Sequence, residues 1–263
     1  MSASNFEFFM VKLFLFALGL SIGSFINALV YRLHEKKPIV NDRSACPLCD
    51  HRLLWHDLIP LVSFAMLRGR CRDCHKRISW QYPLVELLTG IAFILPFIRY
   101  SLLVTDYGAI ISYYIFVCIL LVIFAYDLRY MLIPDSISIP VIGIVFFIQT
   151  INHNLPITSY LVSALAASGF FLAQFLVSKG RWIGGGDIRL GFLIGLMLGW
   201  PVIVAVLMFA YILGTVITLP LVLLRRQTMK SQIPFGVFLT TSTIVGMMWG
   251  REIVLWYMKL ANF

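Results

Sequence analysis

The sequence predicts an all-α polytopic membrane protein of about eight transmembrane helices, with a small cytoplasmic metal-binding insert between the first two. Three observations carry this. Of 263 residues, 60% are hydrophobic and 13% charged, against roughly 45–50% and roughly 25% in soluble domains. Eight apolar runs recur, at about 8–31, 83–98, 109–128, 135–151, 158–178, 188–200, 202–224 and 234–258, each near or below the ~20 residues that cross a bilayer. Only one long polar stretch, 32–82, interrupts them. A soluble enzyme, a disordered chain and a secreted disulfide scaffold are excluded.

Each element follows from local chemistry. The first run carries Glu7, lacks a basic segment before it and is too long for a signal-peptide core, so it reads as a retained helix. Eight spans place both termini on one side. With the N-terminus outside, the inner segments 32–82, 129–134, 179–189 and 225–233 hold 10, 1, 3 and 3 Lys and Arg of the 21 in the chain. That asymmetry is the positive-inside signature. It accounts for the net charge of +9 without nucleic acid as a partner; the partner it implies is the lipid bilayer. No internal repeat is evident.

The insert is too short for a self-sufficient core and needs a staple. Cys46-Pro-Leu-Cys49 and Cys71-Arg-Asp-Cys74 supply one, as two Cys-x-x-Cys pairs separated by 21 residues. Two such pairs complete a tetrahedral thiolate site, and a reducing cytoplasm disfavours disulfides. Residues 32–82 are therefore expected to be a cytoplasmic zinc-binding domain, with structural Zn²⁺ on Cys46, Cys49, Cys71 and Cys74. Arg70, Arg72, Lys76 and Arg77 would offset the thiolate charge, and His51, His56 and His75 read as solvated side chains.

Four acids fall within or at the edges of apolar runs: Glu86, Asp127, Asp135 and Asp187. Acids in a membrane are costly, and each is a functional-site candidate. Asp127 ends the third span and Asp187 starts the sixth, after Gly184-Gly185-Gly186, so the topology puts both at the inner face. Two carboxylates sharing a proton are the machinery of an aspartic protease. The helix dipole disfavours charge at the C-terminal position of Asp127 and favours it at the N-terminal position of Asp187, which would leave the proton on Asp127. The glycines would let an extended peptide approach closely. Asp135, after Ile133-Pro134, reads as a helix cap. Glu86 could pair with a loop arginine, bond a neighbouring helix or serve as a ligand. A proton- or cation-coupled transporter using the intramembrane aspartates is the alternative.

In order along the chain, these features resemble a known family. They comprise Gly23-Ser24-Phe25-Ile26-Asn27 with Tyr31-Arg32-Leu33, both cysteine pairs, and Arg68-Gly69-Arg70-Cys71 with Ile78-Ser79. They continue with Tyr82-Pro83-Leu84-Val85-Glu86-Leu87, Asp127, Ile133-Pro134-Asp135, Gly184-Gly185-Gly186-Asp187 and Ile233-Pro234-Phe235-Gly236. The chain resembles the type IV prepilin peptidases, or leader peptidase/N-methyltransferases, which are membrane aspartic proteases of the Gly-x-Gly-Asp type. The resemblance implies catalysis by Asp127 and Asp187. It implies cleavage of prepilins or pseudopilins of type IV pilus and type II secretion systems after the glycine that ends a short basic leader.

It also implies N-methylation of the new terminus with S-adenosylmethionine, with Glu86 as a candidate on that side of the enzyme. The expected location is the bacterial inner membrane, with residues 1–31 as first helix and 83–263 as peptidase core. Two positions depart from the family pattern, Tyr126 where isoleucine is common and Arg189 where lysine is more usual.

Overall fold

The computed structural model describes residues 3–39, 43–100, 107–152, 155–224 and 233–260. Those residues form nine α-helices and no strand: α1 Ala3–His34, α2 Val62–Met66, α3 Gln81–Tyr100, α4 Tyr107–Tyr130, α5 Asp135–Asn152, α6 Ile157–Ser178, α7 Gly185–Leu198, α8 Val202–Leu223 and α9 Phe235–Leu260. Apart from the single turn of α2, these are the eight apolar runs, displaced by a few residues at their ends. Five are long and apolar enough to cross a membrane, namely α1, α3, α4, α6 and α8, and Asp135–Ile151 forms a shorter apolar helix. The chain is a multi-pass membrane protein. The expected inner segment 225–233 lies outside the described residues, apart from Ile233.

The chain divides into two compact units, Met1–Asp106 and Tyr107–Phe263. In the first, α1 and α3 pack face to face. A Cβ on Gly19 or Gly23 would fall 2.8 Å from the Thr89 carbonyl oxygen or 2.7 Å from the Glu86 Cα. Small residues four apart let two backbones meet where apolar burial alone gives no driving force. Asn27 reinforces the pair by donating from Nδ2 to the Tyr82 carbonyl at 3.1 Å.

The second unit is built around α7, whose residues Leu193–Leu198 are all buried. Buried side chains of α4 (Phe116, Leu120, Ile123), α6 (Ala164, Ala167, Phe171) and α8 (Val206, Ala210) close around it. Gly195 lies against the Ala164 backbone, again too close for a side chain. Between α5 and α7, the buried Gln149 donates to the Leu196 and Met197 carbonyls, both at 3.0 Å, and so satisfies groups near the end of α7. In α9, the Thr240 and Thr243 hydroxyls bond carbonyls four residues back, which lets a polar stretch remain buried.

Candidate active site and metal centre

The cysteine pairs come together. Each is closed by an antiparallel bridge, Ala45 to Arg52 around the first and Arg70 to Arg77 around the second. In each, the first cysteine accepts at its carbonyl from the residue four along, Asp50 at 2.9 Å and His75 at 3.1 Å, and both donors have left-handed φ. The two turns are thus one structural unit used twice at an offset of 25 residues, a repeat that Cys46, Cys49, Arg52 and Trp55 share with Cys71, Cys74, Arg77 and Trp80, against the expectation of no internal repeat. All four sulfurs lie within 4.8 Å of one another. Four ligands at about 2.3 Å around one tetrahedral ion would sit about 3.8 Å apart, so the cluster fits a single metal ion.

Backbone N–H groups of Cys74 and Asp73 bond the Cys71 sulfur, outweigh its desolvation and lower its pKa to about 7. This favours the thiolate form that a metal requires.

The rest of the insert braces this cluster. His51 pairs with Asp73 across the two turns at 3.3 Å. Asp57, its side chain only 5% exposed, accepts from Arg72 at 2.6 and 3.0 Å, between two of the cysteines. Gly69 has φ +67° and its missing Cβ would lie 3.0 Å from the Phe64 ring. Both the left-handed backbone and the tight space call for glycine in Arg68-Gly69-Arg70-Cys71.

Glu86 is one turn into α3 and 7% exposed. Its carboxylate accepts the Leu61 N–H at 2.9 Å, where Leu61 has φ +60°, and a bond from the Ser24 side chain of α1. Of the openings the sequence left, the structure takes hydrogen bonding to a neighbouring helix and to the insert.

Asp127 and Asp187 both belong to the second unit and lie within electrostatic reach of each other. Asp127 is buried in the last turn of α4, and the chain leaves that helix at Met131, with φ +53°. Asp187 is in the first turn of α7, and its carboxylate reaches back to the Gly184 N–H at 3.1 Å. The charge of Asp187 acts on Asp127. Asp127 accepts the Val237 N–H at 3.1 Å and a bond from the Gly236 N–H, both in the first turn of α9. This adds a second helix end to the electrostatic expectation. The position of Asp127 on α4 suggested an unfavourable helix end, but its carboxylate faces the amino end of α9. Each acid is met by N–H donors from a helix start, and helix ends alone no longer assign the proton.

The glycines divide by role. A Cβ on Gly185 would meet nothing within 4 Å among the described residues, so this backbone is open on their side. A Cβ on Gly186 would fall 3.0 Å from the Ile133 side chain, which also lies 3.4 Å from the same position on Gly236. The turn between α4 and α5 is therefore wedged against the segment that carries Asp187 and the start of α9 that bonds Asp127. Asp135 is the first residue of α5 and forms an ion pair with Arg189, two residues after Asp187.

Sequence reasoning missed three partners of this site. Tyr211 of α8 is within electrostatic reach of Asp187, donates to Gln174 of α6 at 2.9 Å and packs on the Phe235 ring at 5.0 Å. The polar Gln174 within a span was the available signal. The Gly236 and Val237 amides are backbone groups, for which side-chain patterns give no cue.

Comparison with known proteins decides the family. Residues 17–100 match the Bacterial Peptidase A24 N-terminal domain, and residues 114–219 match the Type IV leader peptidase family. A protein of Bacillus subtilis (strain 168) named prepilin leader peptidase/N-methyltransferase is 32% identical over 249 residues, covering 94% of this chain and 98% of that protein. The chain belongs to the prepilin leader peptidase/N-methyltransferase family. A relative of the same name from Dickeya chrysanthemi is 30% identical, covering 89% of this chain and 90% of its own length. One from Aeromonas salmonicida (strain A449) is 28% identical, covering 93% and 92%. No solved structure matches the chain. Nothing in these likenesses supports the transporter alternative. The two compact units fall on the two matched regions, with α3 beside α1 in the first.

Proposed function

We propose that this protein is a membrane aspartic endopeptidase that removes the basic leader of type IV prepilins or pseudopilins and then methylates the new N-terminus. One observation carries the peptidase reading: a buried Asp127 is set against the charge of Asp187, with each carboxylate held by amides of a helix start. In such a pair one carboxylate takes a proton from the attacking water while the other protonates or polarises the scissile carbonyl. Roles can exchange between the two, because the proton belongs to the pair. The open side of Gly185 and the adjacent Gly184 and Gly186 supply a backbone against which an extended peptide can lie.

The four cysteines hold structural Zn²⁺, and the closed thiolate set gives it no open position for chemistry. S-adenosylmethionine supplies the methyl group when bound. A fit for it is supported in the first unit by a polar atom left over. Asn27 is 3% exposed, and its Oδ1 is buried with no hydrogen-bond partner. An amino or hydroxyl donor of a cofactor would satisfy it, beside the α3 turn that carries Glu86. The charge asymmetry supports both termini outside with the insert and dyad facing the cytoplasm, and the likeness to bacterial prepilin leader peptidases supports a place in the bacterial inner membrane.

The test is mass spectrometry of a co-expressed prepilin. Wild-type protein yields a product lacking the leader and carrying one added methyl. Asp127→Asn and Asp187→Asn leave the leader in place. Full cleavage by either variant removes the assignment.

A further inference from the structure

The Asp135–Arg189 pair has an unusual setting. Its acid is 60% exposed and its base 33% exposed, and exposed pairs add little to stability. Yet both members stand within two residues of the walls of the site. Ile133, two before Asp135, touches the segments that bear Asp187 and Gly236, and Arg189 follows Asp187 by two.

Charge makes this position distinctive. The second unit contains four acids, Asp127, Asp135, Asp187 and Glu252. The first and third form the proposed dyad. Glu252 is late in α9, far along that helix from the Gly236 end. Asp135 is therefore the one remaining carboxylate at this end. The seven bases that the sequence places on this face, in segments 129–134, 179–189 and 225–233, would repel a cationic peptide.

We propose that Asp135 binds the leader's basic side chain nearest the scissile bond, and that Arg189 is a built-in occupant of that position. The assignment rests on the peptidase reading above. In the free protein, the Arg189 guanidinium satisfies the carboxylate. An arriving lysine or arginine takes its place, and Arg189 swings to solvent. A basic side chain gains the carboxylate while the released Arg189 gains water, so the basic leader is favoured by the modest worth of one exposed pair, whereas a neutral leader must bind with the Arg189 guanidinium still in the position. A neutral residue cannot displace Arg189, because the carboxylate keeps its better partner.

The test uses the full-length purified protein and a full-length prepilin in two forms. One has the native leader, and the other has its basic residue nearest the cleavage glycine changed to Gln. Wild type prefers the basic leader. Asp135→Asn raises KM for the basic leader about fivefold, the size expected of an exposed pair, and erases the preference. Arg189→Gln keeps the carboxylate, removes the competitor and lowers KM for the basic leader. Asp135→Lys prefers a leader carrying Glu at the same position.

Equal losses by Asp135→Asn and Arg189→Gln on both leaders would show a structural clamp and overturn the proposal. So would a preference undiminished in Asp135→Asn. Should that variant fail to accumulate, Arg189→Gln decides: an unchanged or higher KM for the basic leader overturns the proposal. Cleavage of neither leader by wild type removes the peptidase reading itself.

Discussion

Glu86 in the first unit and Asp127 in the second solve the same physical problem and end with different capabilities. Both carboxylates are almost fully buried, at 7% and 5% exposure. Each accepts backbone N–H groups from a segment distant in sequence, Leu61 for Glu86 and Gly236 and Val237 for Asp127. Such bonds offset the cost of burial. The difference lies in the next neighbour. Glu86 finds the Ser24 hydroxyl, and its bonding locks the insert to α1 and α3. Asp127 finds the charge of Asp187. A satisfied carboxylate is a fastener, whereas one set against a second carboxylate can trade a proton. Burial alone does not separate the two roles.

The largest expected effect falls on the first unit. Stripping the metal, or changing Cys71 to Ser, removes a folding contribution on the order of 10 kcal/mol. The insert then opens to protease between residues 43 and 80 while α4 to α9 stay protected, as peptide mapping after limited proteolysis would read. An insert equally protected without metal would mean that its fold rests on the Glu86 and Asp57 bonds alone.

Next comes the dyad. Asp127→Asn or Asp187→Asn lowers the prepilin cleavage rate by about 10²–10⁴-fold, the contribution of a positioned acid or base. Glu86→Gln, equally buried, leaves the cleavage chemistry in place. Similar losses in all three variants would erase the distinction between fastener and catalyst.

The contact that aims Asp127 can be broken without touching an acid. In Gly236→Ala the new Cβ lies 2.7 Å from the Asp127 Oδ2, so the carboxylate must move. A displacement near 1 Å costs about 10²-fold in rate. Gly214→Ala is the matched control, because the atoms nearest its Cβ belong to the Phe238 ring, the first at 3.3 Å, and none to an acid. Steady-state cleavage with both variants at equal expression measures the difference.

Much of this was legible in the sequence. Apolar runs marked the eight helices other than α2, five of which are long and apolar enough to cross a membrane, and paired cysteines marked the metal cluster because thiolates are scarce elsewhere. Asp127 and Asp187 stood out as acids in apolar surroundings. Illegible were relations carried by the backbone. The amides of α9 reach Asp127 across 110 residues of chain. Helix-end reasoning for Asp127 was incomplete for the same reason, since its carboxylate also meets the amino end of a helix other than the one that carries it.

Smaller effects sharpen the fastener side. Glu86→Gln exchanges a charged acceptor for a neutral one at the Leu61 N–H and costs about 1–2 kcal/mol. It would appear as faster hydrogen exchange at Leu61 and through α2, with the cysteine turns unchanged.

The smallest is the acid dependence of Asp57. Burial alone would raise its pKa. The Arg72 hydrogen bond, the Leu54 N–H and the Arg72 charge outweigh that and hold it below the usual carboxylate range. A pKa lower in the folded state stabilises the fold above the unfolded value of about 3.9, and that contribution is lost as pH falls through the folded value. Asp57→Asn therefore destabilises the insert by about 1 kcal/mol at neutral pH. The gap to wild type closes below about pH 4. Urea unfolding followed by the fluorescence of Trp55 and Trp80, at steps from pH 7 to pH 3, reads this directly. A gap that stayed constant across that range would mean that Arg72 is held by packing of its stem, and that the Asp57 charge contributes nothing to bracing the metal turn.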